Sequence, residues 1–599
     1  MFKNYLVHVP QIKGRIYKKL TKHKDGTADY YIEYELERTY NKERKNTSTK
    51  RTTIGKQCHD KPELMYPNDN YYKLIPDAEY PAAAEKVQRS SCLKAGAYIA
   101  LRKIVKEYGL DQILNESIGK KKTGLFLDFC SYTIQSEDNA GQYYPDYAYN
   151  HPLFTTNMRV YSDSALSDFL SSLTPDQRIE VLKRWVSTRG KQEKIYLSYD
   201  STNKLSEAGD LEMVEEGKSK SGLSSPIFNY SLVFDHNNRE PLLYERYPGS
   251  INDVSQLQFV LEKLYGYGYK NICIILDRGY FSKPNIHYMD EHGISFIMMV
   301  KGNKALVNKL ILEHKNTFEE KYANHIERFD VNGTTVESCL YESDRFQRYF
   351  HLYYSPERYS AERAKLMEKI RKMEKALKEA QGTEMIFPSE FHHYFTLYYK
   401  EETRKIKEKV ISEKILQTYI PRTDVIDEET SLCGYFAIIT SDKMSFKEAY
   451  LRYKGRDPIE KLFRSDKTFL GDRMMRVTSD ESTDGKIFIE FIALIIRSKI
   501  YTTLMDEMIR IGSKPNFMTV PAAIKELNKI ELIKTPDGVY RLDHAITATQ
   551  KAILKAFGIT SVEARAMLDQ LGKQIAEYDR LLGKEKPQNS EAESAALGL

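Results

Sequence analysis

The sequence predicts an α/β protein: a mixed sheet flanked by helices and interrupted by an insertion, with β-rich and helical segments before it and a small module after it. Three observations predict this. From Lys194 onward, strand patterns at 195–200, 228–235 and 240–246 follow one another, and a strand–helix–strand run comes next. Residues 304–432 lose that pattern. A strand pattern resumes at 434–439, which makes the block between an insertion into the sheet.

The elements run as follows. Residues 1–60 are a basic β-rich arm, with Ile16, Tyr30, Tyr31 and Tyr34 near the polar turn Lys24-Asp25-Gly26. Residues 61–190 are mainly helical: Leu101, Ile104, Val105 and Leu110 fit one helical face, and Leu166, Phe169, Leu170 and Leu173 fit another. Trp185, the only tryptophan, is read as a core anchor. Residues 191–303 hold the first part of the sheet domain, with helices at 253–265 and near 285–291 and strands at 271–276 and 294–300. Within the insertion, 304–432, Leu366, Ile370, Met373 and Leu377 form a short coiled-coil-like seam on the charged helix 363–379. Residues 433–510 complete the sheet domain, and 511–599 form a module with a strand pair around Gly538 and a polar, disordered tail at 587–599.

Length and composition bound the rest. A chain of 599 residues predicts several domains. With 41% hydrophobic and 29% charged residues it has the balance of a soluble globular protein. The six cysteines are scattered without a C-x-x-C pair, which argues against a zinc site or a disulfide framework and for a reducing compartment. No signal peptide is expected. The most apolar run, 487–496, is interrupted by Glu490 and falls short of the roughly 20 residues a bilayer requires, so it reads as a buried helix and no membrane partner is expected. Of the net charge of +6, residues 1–60 contribute 14 Lys+Arg against 7 Asp+Glu. A basic arm on a near-neutral body points to a polyanion; a solvated hairpin has the same count.

Asp200 follows the apolar run 195–199 and precedes Ser201-Thr202-Asn203, which suit a sharp exit. A carboxylate at the carboxyl end of a strand faces the crevice where open α/β sheets bind ligands. Asp277 repeats the arrangement after the fully apolar run 272–276, and Gly279 allows a tight turn. Two such carboxylates close together repel unless a cation lies between them, and hard oxygen donors suit Mg²⁺ or Mn²⁺. Glu460 has two readings. Asp457 fits a helix N-cap and Pro458 the first helical position, so Asp-x-x-Glu is a candidate capping box. Alternatively, Lys467, seven residues on, returns to within about 20° of Glu460, with Phe463 and Arg464 on the same stripe, and this face could hold a metal and a phosphate together.

Tyr453, Arg456, Glu460 and Lys467 fill all four positions of a Tyr-x2-Arg-x3-Glu-x6-Lys signature. With Tyr199-Asp200-Ser201-Thr202, Gly249-x3-Asp253 and Asp277-Arg278-Gly279-Tyr280 upstream, the chain resembles bacterial insertion-sequence transposases over about residues 195–500. The resemblance implies an RNase H-like catalytic domain, a metal triad of Asp200, Asp277 and Glu460 holding two Mg²⁺ or Mn²⁺ ions, and a β-rich insertion. It implies that residues 61–190 join the arm in DNA binding, that Arg456, Lys467 and Arg464 contact DNA phosphates, and that Tyr453 packs beside them. Some relatives stack an insertion tryptophan on a flipped base; this insertion has none, and Tyr394 or Phe395 is a candidate substitute, although for either one a place in the core is the favoured reading.

The implied activity is cut-and-paste transposition. Metal-dependent cleavage at the element's inverted-repeat ends frees a 3′-OH, which then attacks either the opposite strand or target DNA, and a homodimer serves the two ends. The implied setting is the bacterial cytoplasm, at the nucleoid. Competing readings are an RNase H-like nuclease that only hydrolyses and a silent DNA-binding relative.

Overall fold

The computed structural model describes residues 6–22, 28–42, 45–76, 78, 89–189, 194–206, 211–215, 226–251, 253–300, 304–341, 344, 346–406, 409–470, 474–475, 477, 479–535 and 538–582. The expected turn at 24–26 and the tail at 587–599 lie outside them. The chain divides into two compact units, Met1–Ser90 and Ser91–Leu599.

The first unit is an antiparallel sheet of β1 (Val7–His8), β2 (Ile16–Lys22), β3 (Ala28–Asn41), β4 (Asn46–Gln57) and β5 (Leu64–Pro67), in the order β1-β5-β4-β3-β2, followed by α1 (Asp69–Leu74). Ile32, Tyr34, Ile54 and Met65 form its small core. The predicted hairpins are present, and pairing of β5 with β4 carries the unit past residue 60.

The second unit begins with β6 (Cys92–Lys94) and six helices, α2 (Gly96–Glu107), α3 (Leu110–Ser117), α4 (Lys120–Ser136), α5 (Tyr144–Tyr149), α6 (Asp163–Ser171) and α7 (Pro175–Ser187). The sheet domain follows with β7 (Ile195–Ser206), β8 (Ile227–Asp235), β9 (Glu240–Pro248), α8 (Asp253–Gly266), β10 (Ile272–Leu276), α9 (Lys283–Glu291), β11 (Ser295–Met299) and α10 (Lys304–His314). Next come β12 (His325–Ile326), β13 (Val331–Cys339), β14 (Gln347–Tyr354), α11 (Pro356–Ala380), α12 (Ser389–Tyr394), the hairpin β15 (Phe395–Ile406) and β16 (Lys409–Pro421), and α13 (Thr423–Leu432). The chain closes with β17 (Tyr435–Thr440), α14 (Phe446–Lys454), α15 (Asp457–Phe469), β18 (Met474–Met475), α16 (Asp480–Ile511), α17 (Val520–Leu527), β19 (Glu531–Lys534), β20 (Tyr540–Leu542), α18 (Ala548–Ala556) and α19 (Ser561–Leu582).

The main sheet has the order β12-β13-β14-β17-β11-β10-β7-β8-β9. The pairs β7–β10 and β10–β11 are parallel and the other neighbours antiparallel, so the sheet is mixed, as the strand–helix–strand pattern implied. It does not stop at residue 303: β14 pairs with β17 along Tyr349–Tyr354, which brings β12–β14 into the same sheet. A separate core starts at α11, where Ile370, Met373 and Leu377 pack with Phe387, Phe395 and Leu416. The predicted seam therefore meets the chain's own β15–β16 hairpin.

Helix α16 is the central pillar. It contacts α4, α6 and β9, and its residues 487–496 are buried. Gly485 lets it approach α6, because a Cβ there would sit 2.1 Å from the Leu170 carbonyl oxygen. Trp185 is fully buried and donates from Nε1 to the Pro241 carbonyl at 3.1 Å, as an anchor should. The predicted strand pair around Gly538 is β19–β20, and β19 also pairs with β6. Among the described residues, no helix is long and apolar enough to cross a membrane.

Candidate active site

The register of β7 against β10 sets the site. Leu276 pairs with Tyr199, so Asp277 and Asp200 each come directly after the last paired residues of two neighbouring parallel strands. Asp277 ends its strand as expected. Asp200 does not: β7 continues to Ser206, pairing with β8 from Leu197↔Asp235 to Leu205↔Ile227. The polar run after Asp200 is strand because β8 supplies its backbone partners, and what ends at Asp200 is only the parallel pairing with β10. Asp200 Oδ1 accepts from the Ser201 amide at 2.8 Å.

Asp200 shares a face of β7 with Tyr196 and Ser198, and α14 packs over that face. The Arg452 guanidinium lies 3.5 Å over the Tyr196 ring, and Tyr450 and Tyr453 join Cys273, Ile275 and Ile438 in a core. Between α14 and α15 the chain breaks at Gly455-Arg456. The helical start lies one residue earlier than expected: Arg456 is at the cap position, and no side chain caps the helix. No capping box forms, because the Glu460 carboxylate turns to the Arg456 guanidinium instead of the backbone.

Arg456 ties the two halves of the motif together. Its Nη1 lies 2.9 Å from Asp277 Oδ1, and its Nη2 lies 3.3 Å from Glu460 Oε1. The guanidinium sits 4.8 Å over the Tyr453 ring. Burial works against its charge, yet Tyr453, Asp277, Glu460 and Asp200 together hold its pKa above the usual guanidinium value. All three carboxylates therefore lie within electrostatic reach of one cation.

Tyr453 is only 4% exposed, and its hydroxyl donates to Asp277 Oδ1 at 3.4 Å. Burial, and then Asp277 and Glu460, push its pKa up, so it remains a donor. Tyr453 thus supports Arg456 and Asp277 from beneath instead of meeting DNA directly. A cleft of about 550 Å³ opens here, bordered by Asp277, Arg278, Arg358, Lys454 and Arg456. Arg464 and Lys467 line a second hollow with Phe463 and Thr468.

Tyr394 and Phe395 do not present a ring to a base. They are 4% and 1% exposed within the insertion's own core, and the Tyr394 hydroxyl donates to Glu429 Oε2 at 2.7 Å. Both apolar rings were claimed by the local core. Tyr398, 46% exposed, is an exposed aromatic on the strand of Phe395; Tyr322 and Phe346 are others within the insertion.

Several supports escaped sequence reasoning. Tyr280 donates to Ser201 Oγ at 2.8 Å and meets Tyr199 edge-on at 5.1 Å, which locks the turn after Asp277 against β7. Tyr247 donates to Asp253 Oδ1 at 2.6 Å, and Gly249 is needed because a Cβ would lie 2.4 Å from the Ile227 carbonyl oxygen. Beneath the site, Lys204 Nζ lies 3.0 Å from Asp466 Oδ2 and 3.6 Å from Glu490 Oε2, all three side chains being almost fully buried. Burial pushes the Asp466 carboxyl up, and Lys204 pulls it back. This cluster joins β7, α15 and α16, and so fixes the helix of Glu460 to the strand of Asp200. Only the family motifs at 249–253 and 277–280 signalled any of these residues.

Residues 210–496 match the family described as the transposase DDE domain. That span is just under half of the chain. The matched span contains Asp277 and Glu460 and begins ten residues after Asp200. No curated protein matches the chain. Among solved structures, a cryo-EM structure of the piggyBac transposase synaptic complex with hairpin DNA is similar, at 8% identity and a TM-score of 0.28. The match covers 73% of this chain and 64% of that one. Among the described residues, no group of three or more His, Cys, Asp or Glu side chains is gathered for a metal ion. In the site, the Arg456 guanidinium holds the position between the carboxylates.

The hollow lined by Arg464 and Lys467 gives a direct test of α15. Lys467→Ala is expected to weaken binding of end-containing duplex by about 1.5–3 kcal/mol, the value of a charged hydrogen bond to phosphate. A change within roughly 0.5 kcal/mol in a fluorescence-anisotropy titration would make Lys467 an ordinary surface lysine.

Proposed function

We propose that the chain is a DNA transposase that cleaves the ends of an insertion element and joins them to target DNA. The observation that carries this reading is the register that sets Asp200 beside Asp277, with Arg456 linking Asp277 to Glu460 from the adjoining helix. The match of residues 210–496 to the transposase DDE domain family supports it.

The donor set fits Mg²⁺ or Mn²⁺. Three carboxylates are hard oxygen ligands, and the cation they share in this structure is a side chain that can rotate away. When bound, a pair of such ions polarises the scissile phosphate and activates the attacking oxygen. The protein's own groups do the remaining work. Asp200 and Asp277 are held rigidly by the sheet, Tyr453 keeps Asp277 oriented, and Arg456, once released, is placed to meet a phosphate in the basic cleft. Arg464 and Lys467 hold the DNA backbone farther along α15. Pairing two ends calls for two active sites, hence a homodimer on DNA.

In vitro strand transfer tests the reading. The purified chain with Mg²⁺ and duplexes carrying the sequences that flank its gene is expected to nick the element ends and join the 3′-OH to plasmid DNA. Nicking with no joined product would reassign the chain as a hydrolytic nuclease.

Arg456→Ala separates the two roles given to that residue. Removing the resident cation is expected to tighten Mn²⁺ binding about tenfold, since a unit charge a few ångströms away is worth on the order of 1–4 kcal/mol. Cleavage is expected to fall. Titration of Mn²⁺ by electron paramagnetic resonance reads the first effect without relying on turnover, and an unchanged affinity would refute the competition.

A further inference from the structure

The N-terminal unit contains a ribbon that no step above uses. Strand β2 leaves β3 at Ile16↔Tyr34, and β5 leaves β4 at Gly55↔Pro67. Strands β3 and β4 run on as a pair from Glu37↔Lys50 to Asn41↔Asn46. From Leu36 to Arg51, every residue whose side chain is described is exposed, on both faces. A two-stranded ribbon without a core is marginal in water. Its base is held instead by a polar clamp. Arg38 donates from Nε to Glu35 Oε1 at 2.7 Å and from Nη2 to the Tyr17 hydroxyl at 2.8 Å, and the Arg51 guanidinium lies 3.6 Å over the Tyr17 ring.

The clamp engages both arginines at the base and leaves Lys42, Lys45 and Lys50 along the projecting part. Residues 36–51 carry six Lys+Arg against two Asp+Glu, so the ribbon is cationic overall. Paired residues of antiparallel strands share a face. Lys50, Thr39, Ser48 and Asn46 therefore line one face with Glu37, and Tyr40, Thr47 and Thr49 line the other. The first face is made of short hydrogen-bonding groups and a lysine, with Glu37 beside that lysine at the base of the ribbon.

We propose that this ribbon enters the major groove of B-form DNA, with Thr39, Asn46, Ser48 and Lys50 against the base edges and Lys42 and Lys45 at the phosphates. The dimensions fit. The groove is about 12 Å wide and 8.5 Å deep and admits a two-stranded ribbon. Five residues of projecting strand reach about 17 Å. Asn, Ser, Thr and Lys supply the donors and acceptors with which base edges are read, and every lysine placed at a phosphate adds salt-dependent affinity. The identity of the partner as DNA rests on the proposed transposase reading; the ribbon's role does not require the carboxylate triad to work.

The experiment uses the full chain and a pool of 40-base-pair duplexes with a random core, selected for binding at fixed salt. The wild-type chain is expected to enrich a short motif, and methylation of guanine N7 within it should weaken binding on the order of tenfold. The Asn46→Ala/Ser48→Ala/Lys50→Ala variant should lose that motif while its circular dichroism stays that of the wild type. Lys42→Ala/Lys45→Ala should keep the motif and lower the salt slope by about two. The same motif enriched by the triple variant, indifference to N7 methylation, or equal competition by A-form duplex RNA, whose major groove is too narrow to enter, would each overturn the proposal. The proposed function fails separately. A motif lost by the triple variant in a chain that neither cuts nor joins would keep the ribbon and reject the transposase, whereas cutting and joining with an unaltered motif would do the reverse.

Discussion

Asp200→Asn, Asp277→Asn and Glu460→Gln are each expected to lower metal-dependent cleavage at least about 10³-fold, because a lost ligand charge removes several kcal/mol of transition-state stabilisation. Each change keeps the shape of the side chain. DNA binding should stay the same or become slightly tighter, since a negative charge facing a polyanion is removed. Asp277→Asn also takes away the closer partner of Arg456, at 2.9 Å, and leaves the Glu460 contact at 3.3 Å. Glu460→Gln is the most discriminating of the three: no capping box forms at this helix, so loss of cleavage in a normally folded variant would assign the carboxylate to the metal. Cleavage and gel-shift assays on the same preparations, with melting curves to confirm folding, decide it. Normal nicking by any one variant at saturating Mg²⁺ removes that residue from the triad.

The second large effect concerns the buried cluster of Lys204, Asp466 and Glu490. With both acids ionised, one ammonium faces two carboxylates, and Asn139 donates to Glu490 Oε1 at 2.9 Å as a further support. The Lys204 ammonium also sits 4.3 Å from the centre of the Tyr230 ring. Lys204→Met leaves two buried acids without their cation and is expected to destabilise the second unit by about 3–5 kcal/mol. Asp466→Asn should be much milder, because burial already favours the neutral form of that carboxyl. Asp466 gains stability in its protonated form, so its contribution is full at low pH and fades as pH rises through its raised pKa; the gap between wild type and Asp466→Asn should therefore close on acidification. Urea unfolding at two pH values measures both. Equal costs for the two substitutions would mean that the charges are not coupled.

The sequence made part of this legible. Apolar runs ending on Asp200 and Asp277 have the strand pattern and lie together in the sheet, and the motif around Glu460 lies on helices that pack beside them. Strand 201–206 was not legible, because Ser201 to Lys204 looks like an exit until β8 is there to pair with it. The same holds for β12–β14, whose place in the sheet depends on Tyr349–Tyr354 meeting β17, a pairing that no local periodicity encodes. Lys204 reads as a surface lysine, since its two acidic partners come from far along the chain. Tyr394 and Phe395 had the right chemistry for stacking, but a small core needs its aromatics inside.

The interleaving of the sheet has a consequence during synthesis. Strand β11 ends at Met299, and its neighbour β17 begins at Tyr435, so the growing chain makes one side of a central strand about 135 residues before the other. At roughly 5–20 residues per second, that edge stays open for about 7–27 seconds on the ribosome. It is not a benign edge: Phe296, Ile297 and Met298 are all fully buried in the finished fold. A bare apolar strand invites pairing with another chain. Any fragment that stops short of Tyr435 carries the same open edge permanently, so a fragment built to hold the sheet must include β17.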